Sequence, residues 1–447
     1  MFKSSYLNTI FQEIIDKNPN QTEFIQSVNA FFEAIADYVE KDERIEKNAI
    51  IERLVVPERI IQFRVPWVDD QNKIHVNCGY RVEYNSALGP YKGGLRFHPS
   101  VNLSIMKFLG FEQIFKNALT GLPLGGGKGG ADFNPKGKSD GEIMRFCQSF
   151  MAELYRHIGP NTDIPAGDIG VGNREIGYLF GYYKKLQNEF SGVLTGKGIS
   201  YGGSLARKEA TGYGLCYFTT FALNHFKQTD FNNKKVVISG SGNVAIYAAL
   251  KAIALGAKVV AMSDSDGYIY DPEGLDVTYI QKIKEERKRI VEYTYKFPNV
   301  KYQNNSKQIW EVPCDIALPC ATQNELDLQG AKSLVANGVI AVCEGANMPT
   351  TIEAIKYLQE NKVIFGPCIA ANAGGVATSG LEMAQNATFS SWSFQEVDEK
   401  LRNIMQNIFS TILSTAMQFN NPYDLVKGAN IASFIKVNEA MLALGLI

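Results

Sequence analysis

The middle of the chain reads Lys234-Lys-Val-Val-Ile-Ser-Gly-Ser-Gly-Asn-Val-Ala245, and these residues indicate the fold class. Its first half, Lys234–Ser239, is the pattern of a short buried strand, whereas the apolar run Ile246–Leu255 predicts a helix. Lys258–Met262 predicts a second strand, which leads directly to Asp264. The order strand, glycine turn, helix and strand indicates an α/β domain with a parallel sheet.

The turn between the first strand and the helix has the pattern Gly-x-Gly-x-x-Ala. With an acid about 20 residues further on, here Asp264, this pattern is typical of a Rossmann-like domain that binds a dinucleotide. Gly240, Ser241 and Gly242 would then lie against the pyrophosphate, because the free N–H groups and the dipole of a helix N-terminus favour anions.

Three more apolar runs follow, and polar residues come after each: Asp315–Pro319, Val339–Cys343 and Val363–Phe365. Open parallel sheets bind ligands at the carboxyl ends of their strands. We therefore expect Asn347 and Asn372, which follow the last two runs, to contribute to the cofactor site.

The first half of the chain has different patterns. Residues 60–84 alternate around Asp69–Asn72 and predict a β-hairpin with one buried face. Residues 21–40 predict an amphipathic helix with a capping box of Asn20 and Glu23. Further helices are expected at about 102–118 and, from a capping box of Ser139 and Glu142, up to Ile158.

Six glycines and one lysine make up most of Gly121-Leu-Pro-Leu-Gly-Gly-Gly-Lys-Gly-Gly130. Because Lys128 has few apolar neighbours to lie along and poor access to water, a functional role is favoured over a flexible surface loop. No Ser or Thr follows Lys128, so a Mg²⁺-binding P-loop is not indicated.

A second glycine-rich loop, Gly89–Pro99, carries two cations, one of them Lys92. Gln113 and Lys116 lie three residues apart and share a face of the next helix, whereas we expect Lys107 on a solvated face. Lysines beside glycine turns in one region indicate an anion site.

Asp168 lies between glycines in Asp163-Ile-Pro-Ala-Gly-Asp-Ile-Gly-Val-Gly172. Two interpretations stay open, a helix-capping aspartate and a carboxylate held out of water near Lys128.

Glycines cluster at Gly196–Gly203 and indicate a domain boundary. We therefore expect one domain over 1–200 for substrate binding and assembly, and a dinucleotide domain over 201–420. The last stretch, about 421–447, is expected to pack back on the first domain.

The composition of the 447 residues is that of an ordinary globular protein, with 45% hydrophobic and 20% charged residues and a net charge of −1. Nothing in it favours nucleic acid or a membrane as partner. The seven cysteines are scattered and the four histidines lie far apart in sequence, so no metal site is expected. Since the first residues lack a signal-peptide core, we expect a cytoplasmic protein.

Taken together, the motifs resemble the glutamate dehydrogenase family, in its short hexameric form usually linked to NADP. The resemblance covers nearly the whole chain. It rests on Gly89-Pro-Tyr-Lys-Gly-Gly, Leu122-Pro-Leu-Gly-Gly-Gly-Lys-Gly-Gly, Pro165-Ala-Gly-Asp-Ile-Gly-Val-Gly, Glu209-Ala-Thr-Gly-Tyr-Gly, Ser239-Gly-Ser-Gly-Asn-Val-Ala and Asn372-Ala-Gly-Gly-Val.

The resemblance implies two domains with a cleft between them, a homohexamer, and reversible amination of 2-oxoglutarate with ammonium to L-glutamate. It makes Lys128 the catalytic lysine and Asp168 its proton-transfer partner. The other matched positions are Lys92 and Ser379 for the distal carboxylate, Gln113 and Lys116 for the α-carboxylate, Gly167 for a backbone contact to substrate, and Thr211 and Asn243 for the dinucleotide.

The choice between NADP and NAD has arguments on both sides. Asp264 and Asp266 oppose a 2′-phosphate, because an acid at the end of the second strand usually binds ribose hydroxyls. The family commonly keeps Ser-Asp-Ser here and still uses NADP, and the basic residues of 284–289 could supply opposing charge. We therefore expect NADP, with NAD the less favoured cofactor.

Two other classes of protein share part of this pattern. A dehydrogenase for apolar amino acids shares the catalytic lysine and aspartate, but Lys92 and Ser379 argue against it. A nucleotide sensor without activity predicts the loss of a catalytic group, yet Lys128 and Asp168 both remain.

Overall fold

The chain folds into two compact units, described here from a computed structural model over residues 2–446. Unit 1 comprises residues 2–205, 378–397 and 430–446, and unit 2 comprises 206–377 and 398–429.

Unit 1 contains a mixed sheet covered by helices. Its elements are α1 (Ser5–Lys17), α2 (Thr22–Val39), α3 (Glu43–Lys47), α4 (Ile50–Leu54), β1 (Arg59–Val68), β2 (Ile74–Asn85), β3 (Tyr91–Phe97), α5 (Leu103–Leu119), β4 (Gly126–Ala131), α6 (Asp140–Leu154), β5 (Asp163–Gly167) and α7 (Asn173–Gln187). A short 3-10 helix follows at Ile199–Tyr201.

The five strands of unit 1 lie in the order β1-β2-β4-β3-β5. β1 and β2 form the predicted hairpin, and β2 continues antiparallel to β4, whereas β3 runs parallel to β4 and β5. Aromatic side chains form part of the core on one face, where the rings of Phe133 and Phe146 stack 3.7 Å apart. The sheet therefore fixes β3, β4 and the end of β5 side by side.

Both glycine-rich segments differ from the predicted loops, because each forms a buried strand, β3 and β4. The reason is close backbone approach. A Cβ added at Gly93 would lie 1.6 Å from the carbonyl oxygen of Gly127, and one at Gly126 would lie 2.4 Å from Ile114 Cγ1. In this sheet glycine makes room for neighbouring strands and for α5 rather than for a turn.

Of the two capping boxes predicted above, one is confirmed and the other is wrong. The Ser139–Glu142 capping box begins α6, although that helix ends at Leu154 instead of Ile158. The predicted box of Asn20 and Glu23 does not form: α2 begins after Gln21, and the Glu23 carboxylate accepts a hydrogen bond from Ser104 Oγ at 2.6 Å.

Unit 2 carries the predicted parallel sheet. Its elements are α8 (Ala210–Lys227), β6 (Lys235–Ile238), α9 (Asn243–Ala254), β7 (Lys258–Ser263), β8 (Tyr268–Tyr270), α10 (Val277–Glu285), α11 (Tyr293–Lys296), β9 (Lys301–Gln303), β10 (Ile316–Leu318), α12 (Leu328–Ala336), β11 (Ala341–Cys343), α13 (Ile352–Glu360), β12 (Ile364–Gly366) and α14 (Cys368–Ala371). Two 3-10 helices lie at Ile290–Glu292 and Ser306–Glu311. The strand order is β12-β11-β10-β6-β7-β8-β9, parallel from β12 to β7 and antiparallel beyond.

Three helices complete the chain and pass from one unit to the other: α15 (Gly374–Ala387), α16 (Phe394–Gln418) and α17 (Leu425–Leu444). This division differs from the expected domain of 201–420, because residues 378–397 belong to unit 1. The physical reason lies on α15. The buried Glu382 binds Lys197, and Gln385 Nε2 donates to Ser204 Oγ at 2.8 Å.

Among the helices of residues 2–446, none has both the length and the apolar composition that a membrane crossing requires. Within the same residues, His, Cys, Asp and Glu form no group of three or more that could hold a metal ion.

Candidate active site and dinucleotide site

Strand β4 places Lys128 in the interior of unit 1, where the residue is 5% exposed. Its Nζ lies 3.0 Å from Asp168 Oδ2, so the structure brings the two predicted catalytic residues together. Burial lowers the pKa of the Lys128 amine, the Asp168 carboxylate opposes that change, and the charges of Arg96 and Arg81 add to the lowering. The amine is therefore shifted towards the range in which it can exchange a proton near neutral pH.

Asp168 follows β5 directly and accepts a second charged hydrogen bond on the same oxygen. Arg96 Nε, from β3, donates to Asp168 Oδ2 at 2.9 Å. Burial alone raises the pKa of Asp168, but Lys128 and Arg96 outweigh it and hold the pKa at about 2. The carboxylate is thus ionised at neutral pH. Its Oδ2 binds two cationic side chains, and the next helix, α7, has Gly172 as its N-cap, so Asp168 is not a helix cap.

Lys92 lies on β3, the strand next to β4, and is 1% exposed. Its Nζ donates to Thr195 Oγ1 at 2.8 Å. Lys92 and Lys128 therefore place two buried amines on neighbouring strands of this sheet.

Gln113 and Lys116 lie on α5, as predicted, and both are partly exposed. Asn117 fixes Gln113, because Asn117 Oδ1 accepts from Gln113 Nε2 at 2.7 Å. Asn117 Nδ2 in turn donates to the carbonyl oxygens of Lys92 and Gly125, at 3.0 and 2.6 Å. One buried amide therefore connects α5 to the segments that carry both lysines.

The two remaining substrate candidates also lie in unit 1. Gly167 ends β5 next to Asp168, and Ser379 is buried in the second turn of α15. The sequence analysis implied that Lys92 and Ser379 come from different domains. The division of the chain places both in the same unit.

Sequence reasoning did not assign a role to Arg96, Thr195 or Asn117. Arg96 was visible as the second cation of Gly89–Pro99, whereas no local pattern marked Thr195. Its contact with Lys92 joins residues 103 positions apart in the chain, and such a contact has no local sequence signal.

In unit 2 the glycine turn has the predicted form. Gly240 has a φ of +84°, which only glycine adopts readily, and its N–H donates to Ser263 Oγ at 2.8 Å. Gly242 precedes α9, which begins at Asn243, and a Cβ added at Gly242 would meet no atom within 4 Å. Ser241 is buried beside this open helix N-terminus. The arrangement fits a bound pyrophosphate.

Asp264 directly follows β7, but its carboxylate oxygens are turned towards backbone groups. Oδ1 accepts from the N–H of Asp266 at 3.0 Å and Oδ2 accepts from the N–H of Ile290 at 2.9 Å. Arg289 lies alongside, with Nη1 2.7 Å from Ser265 Oγ and Nε 3.1 Å from Asp266 Oδ2. The acid is therefore already engaged, and a guanidinium group lies beside it.

The loops after β11 and β12 bring Asn347 and Asn372 together. Asn372 Nδ2 donates to Asn347 Oδ1 at 3.0 Å, and in residues 2–446 the buried Asn372 Oδ1 has no hydrogen-bond partner. Thr211 lies in the first turn of α8, where its Oγ1 would be 2.6 Å from a Cβ on Gly375. An unmet buried acceptor at the carboxyl edge of the sheet fits a ligand that donates a hydrogen bond.

A mixed-sheet unit with a buried lysine–aspartate pair and a Rossmann-like unit are the two parts expected of an amino-acid dehydrogenase. Family models agree over most of the chain. Residues 202–445 match the model described as Glutamate/Leucine/Phenylalanine/Valine dehydrogenase, and residues 57–185 match the Glu/Leu/Phe/Val dehydrogenase dimerisation domain. The chain belongs to the Glu/Leu/Phe/Val dehydrogenase family.

Similar proteins include the NADP-specific glutamate dehydrogenases of Helicobacter pylori, 55% identical over 98% of this chain and 100% of the relative, and of Escherichia coli, 54% identical over 99% of each. Among solved structures, a glutamate dehydrogenase of Plasmodium falciparum is 53% identical over 99% of this chain and 95% of that one, with a TM-score of 0.96.

Proposed function

We propose that the protein is an NADP-dependent glutamate dehydrogenase. It converts 2-oxoglutarate, ammonium, NADPH and a proton into L-glutamate, NADP⁺ and water, and catalyses the reverse reaction. The observation that carries the proposal is the pair of buried lysines on neighbouring strands, Lys92 and Lys128, with Asp168 bound to the second. The names of the similar proteins support the same activity.

Lys128 polarises the ketone oxygen as a cation, and in the oxidative direction its neutral form activates the water that attacks the imine. Asp168 carries protons to and from the substrate nitrogen, and Arg96 keeps that carboxylate ionised and oriented. When bound, the reduced dinucleotide supplies the hydride. The protein's own side chains therefore carry out the proton transfers, and the residues concerned are Arg96 on β3, Lys128 on β4 and Asp168 after β5.

Substrate choice follows from Lys92 and Ser379. A buried ammonium group prefers a carboxylate over an apolar side chain, because leaving it without an anion costs free energy. With Lys92 and Ser379 on the distal carboxylate, and Gln113 and Lys116 on the α-carboxylate, both ends of 2-oxoglutarate are bound.

The geometry of Asp264 supports NADP over NAD. Because backbone N–H groups of Asp266 and Ile290 occupy its oxygens, Asp264 is not directed at a ribose hydroxyl. Ser265 and Arg289 instead offer a hydroxyl and a guanidinium group, the chemistry that suits a 2′-phosphate.

The test is the oxidation of NADPH and, separately, NADH by the pure protein with ammonium and 2-oxoglutarate. We expect NADPH to give the higher kcat/KM. With 2-oxoisocaproate in place of 2-oxoglutarate we expect very little turnover. Faster turnover of the branched substrate would favour the apolar amino-acid dehydrogenase instead, and no turnover of either would favour the nucleotide sensor.

We also propose a homohexamer in the cytoplasm. The dimerisation-domain match over residues 57–185 supports self-association, and it includes the edge strand β1. The hairpin carries exposed apolar side chains at Ile60, Ile74 and Val76, which a neighbouring subunit would cover. Light scattering after size exclusion tests the hexamer, and fractionation of cells tests the location.

A further inference from the structure

The carboxylate of Glu344 lies buried at the carboxyl end of β11, with the residue 3% exposed. Its Oε1 accepts from the N–H of Thr350 at 3.2 Å, and its Oε2 accepts from the N–H of Cys368 at 2.7 Å. One side chain therefore joins the loop after β11 to the first residue of α14, which follows β12.

Asn372 closes the same arrangement from the other end of α14. Its Nδ2 donates to the carbonyl oxygen of Ala346 at 3.1 Å and to Asn347 Oδ1 at 3.0 Å. Glu344 thus binds the last residue of the segment 345–350, Thr350, and Asn372 binds Ala346 and Asn347 nearer its start.

The segment has no helix or strand of its own. Backbone bonds join Gly345 and Ala346 to Pro319, and its carbonyl oxygens at 348 and 349 accept from Asn324 and Leu326, so one side of the segment is held by the chain after β10. The side-chain bonds of Glu344 and Asn372 hold it on the other side, against α14 and the residue that follows.

Burying the Glu344 carboxylate costs more free energy than a purely structural role would justify. In residues 2–446 it takes part in no ion pair, and the titratable groups that face it are the thiols of Cys343 and Cys368. Burial raises the pKa of Glu344 to about 7, and the hydrogen bonds from Thr350 and Cys368 only partly oppose this. Burying a carboxylate without an ion pair costs free energy unless hydrogen bonds compensate, and here backbone N–H groups of two separate segments provide them.

We propose that Glu344 is a positioning residue for dinucleotide binding, because its carboxylate holds Thr350 and Cys368 and thereby places Asn347 and Asn372 against the bound cofactor. This inference rests on the proposed function. The strand order reverses between β6 and β10, so loops after β10, β11 and β12 lie on the opposite side of this switch point from the glycine turn. In such sheets that side receives the second half of the dinucleotide.

The arrangement predicts a pH dependence of cofactor affinity. The ionised carboxylate accepts both N–H groups, whereas the protonated form turns one oxygen into a donor and weakens one bond. Since the pKa of Glu344 is about 7, affinity is highest above pH 7 and falls as the pH drops below it.

The experiment measures the Kd for NADPH by fluorescence from pH 6 to 8.5 with the full-length protein. Glu344→Gln is compared with wild type and with Glu353→Gln, which removes the same charge from an exposed position on α13. At pH 8 we expect Glu344→Gln to bind about tenfold more weakly, the effect of leaving one buried N–H without its acceptor. Its KM for NADPH rises while kcat changes little.

The pH profile separates positioning from general destabilisation. Between pH 8 and 6 the affinity of the wild type for NADPH falls partly because Glu344 becomes protonated. Glu344→Gln lacks this part of the fall, whereas Glu353→Gln keeps it. The titration of the 2′-phosphate is common to all three proteins and cancels in the comparison.

A second variant removes the donor and leaves the carboxylate. Cys368→Pro lacks the N–H that binds Glu344, and proline is tolerated at the first position of a helix. We expect Cys368→Pro to bind NADPH more weakly, and the midpoint of its affinity against pH to lie at higher pH. This variant tests the role of Glu344 if Glu344→Gln does not fold. Wild-type Kd and pH profile in the folded variants would overturn the role of Glu344. A wild-type protein that binds no NADPH would overturn the proposed function instead.

Discussion

Unit 1 holds two buried pairs of lysine and carboxylate that look alike at first sight. Lys128 Nζ lies 3.0 Å from Asp168 Oδ2, and Lys197 Nζ lies 2.9 Å from Glu382 Oε1. The pairs differ in their surroundings. The side chains of Lys197 and Glu382 are 1% and 0% exposed, whereas the Asp168 side chain keeps 18% of its surface exposed.

The hydrogen bonds around each pair show what the difference means. Glu382 also accepts from the N–H groups of Gly196 and Lys197, at 2.9 and 3.3 Å, and Lys197 Nζ also donates to the carbonyl oxygen of Leu194. Asp168 instead shares its oxygen with a second cation, Arg96. A pair enclosed by backbone contacts holds α15 in place, whereas the partly open pair with an extra charge fits the proton transfer that we propose for it.

Removing the amine of the open pair should have the largest effect, and on activity alone. For Lys128→Ala we expect a loss of about 10,000-fold in kcat/KM with 2-oxoglutarate, because a central acid–base group contributes several kcal/mol of transition-state stabilisation. The Tm and the Kd for NADPH should stay near wild type. Near-normal kcat in this variant would show that Lys128 is not the catalytic lysine.

Breaking the enclosed pair should act on stability instead. Lys197→Met leaves Glu382 buried without its cation, which costs about 3–5 kcal/mol in the free energy of unfolding. Urea denaturation at fixed protein concentration measures this loss, and turnover per folded enzyme should change little. A variant as stable as wild type but inactive would reverse the roles that we assign to the two pairs.

Lys92 is a third buried lysine of unit 1, and it donates a hydrogen bond to the Thr195 hydroxyl. Lys92→Leu should lower kcat/KM for 2-oxoglutarate by about 100- to 1,000-fold, since the distal carboxylate loses its cation. New activity on 2-oxoisocaproate should stay weak, because an apolar pocket gains only ~1–3 kcal/mol per methylene.

The matched control for Lys92 is Lys107→Leu. Lys107 is also buried, with Nζ 2.6 Å from Asn18 Oδ1 and 4.1 Å from the ring centre of Phe24. We assign it no substrate contact, so kcat/KM should be unchanged. Unaltered use of 2-oxoglutarate by Lys92→Leu would mean that the distal carboxylate binds elsewhere.

The smallest expected effect is a shift in pH dependence. Arg96 lowers the pKa of Lys128, after burial and against the effect of Asp168. In Arg96→Gln the pKa of Lys128 therefore rises, and the alkaline limb of reductive amination, where the cationic lysine is lost, moves to higher pH. Arg96→Lys, which keeps the charge, should move it less. An alkaline limb that moves down would contradict the assigned role of Arg96.

Much of unit 2 could be predicted from local patterns. Gly240 requires a positive φ, Gly242 leaves the start of α9 open, and the apolar runs on either side have the lengths of a strand and a helix. Each of these features depends on residues within one turn or strand, so the sequence alone was sufficient. The family motifs similarly marked Lys128 and Asp168 before their 3.0 Å contact was seen.

What the sequence determined was therefore the set of elements and the chemistry of the residues they carry. That Gly126–Ala131 is a buried strand follows from contacts between elements, since the constraint comes from Gly93 and from α5 rather than from the strand itself. Contacts of the same kind also bury Lys107, which the sequence analysis placed on a solvated face. The pattern of one segment reports its own periodicity. Contacts between segments far apart in the chain decide which backbone groups meet and which charges lose their water.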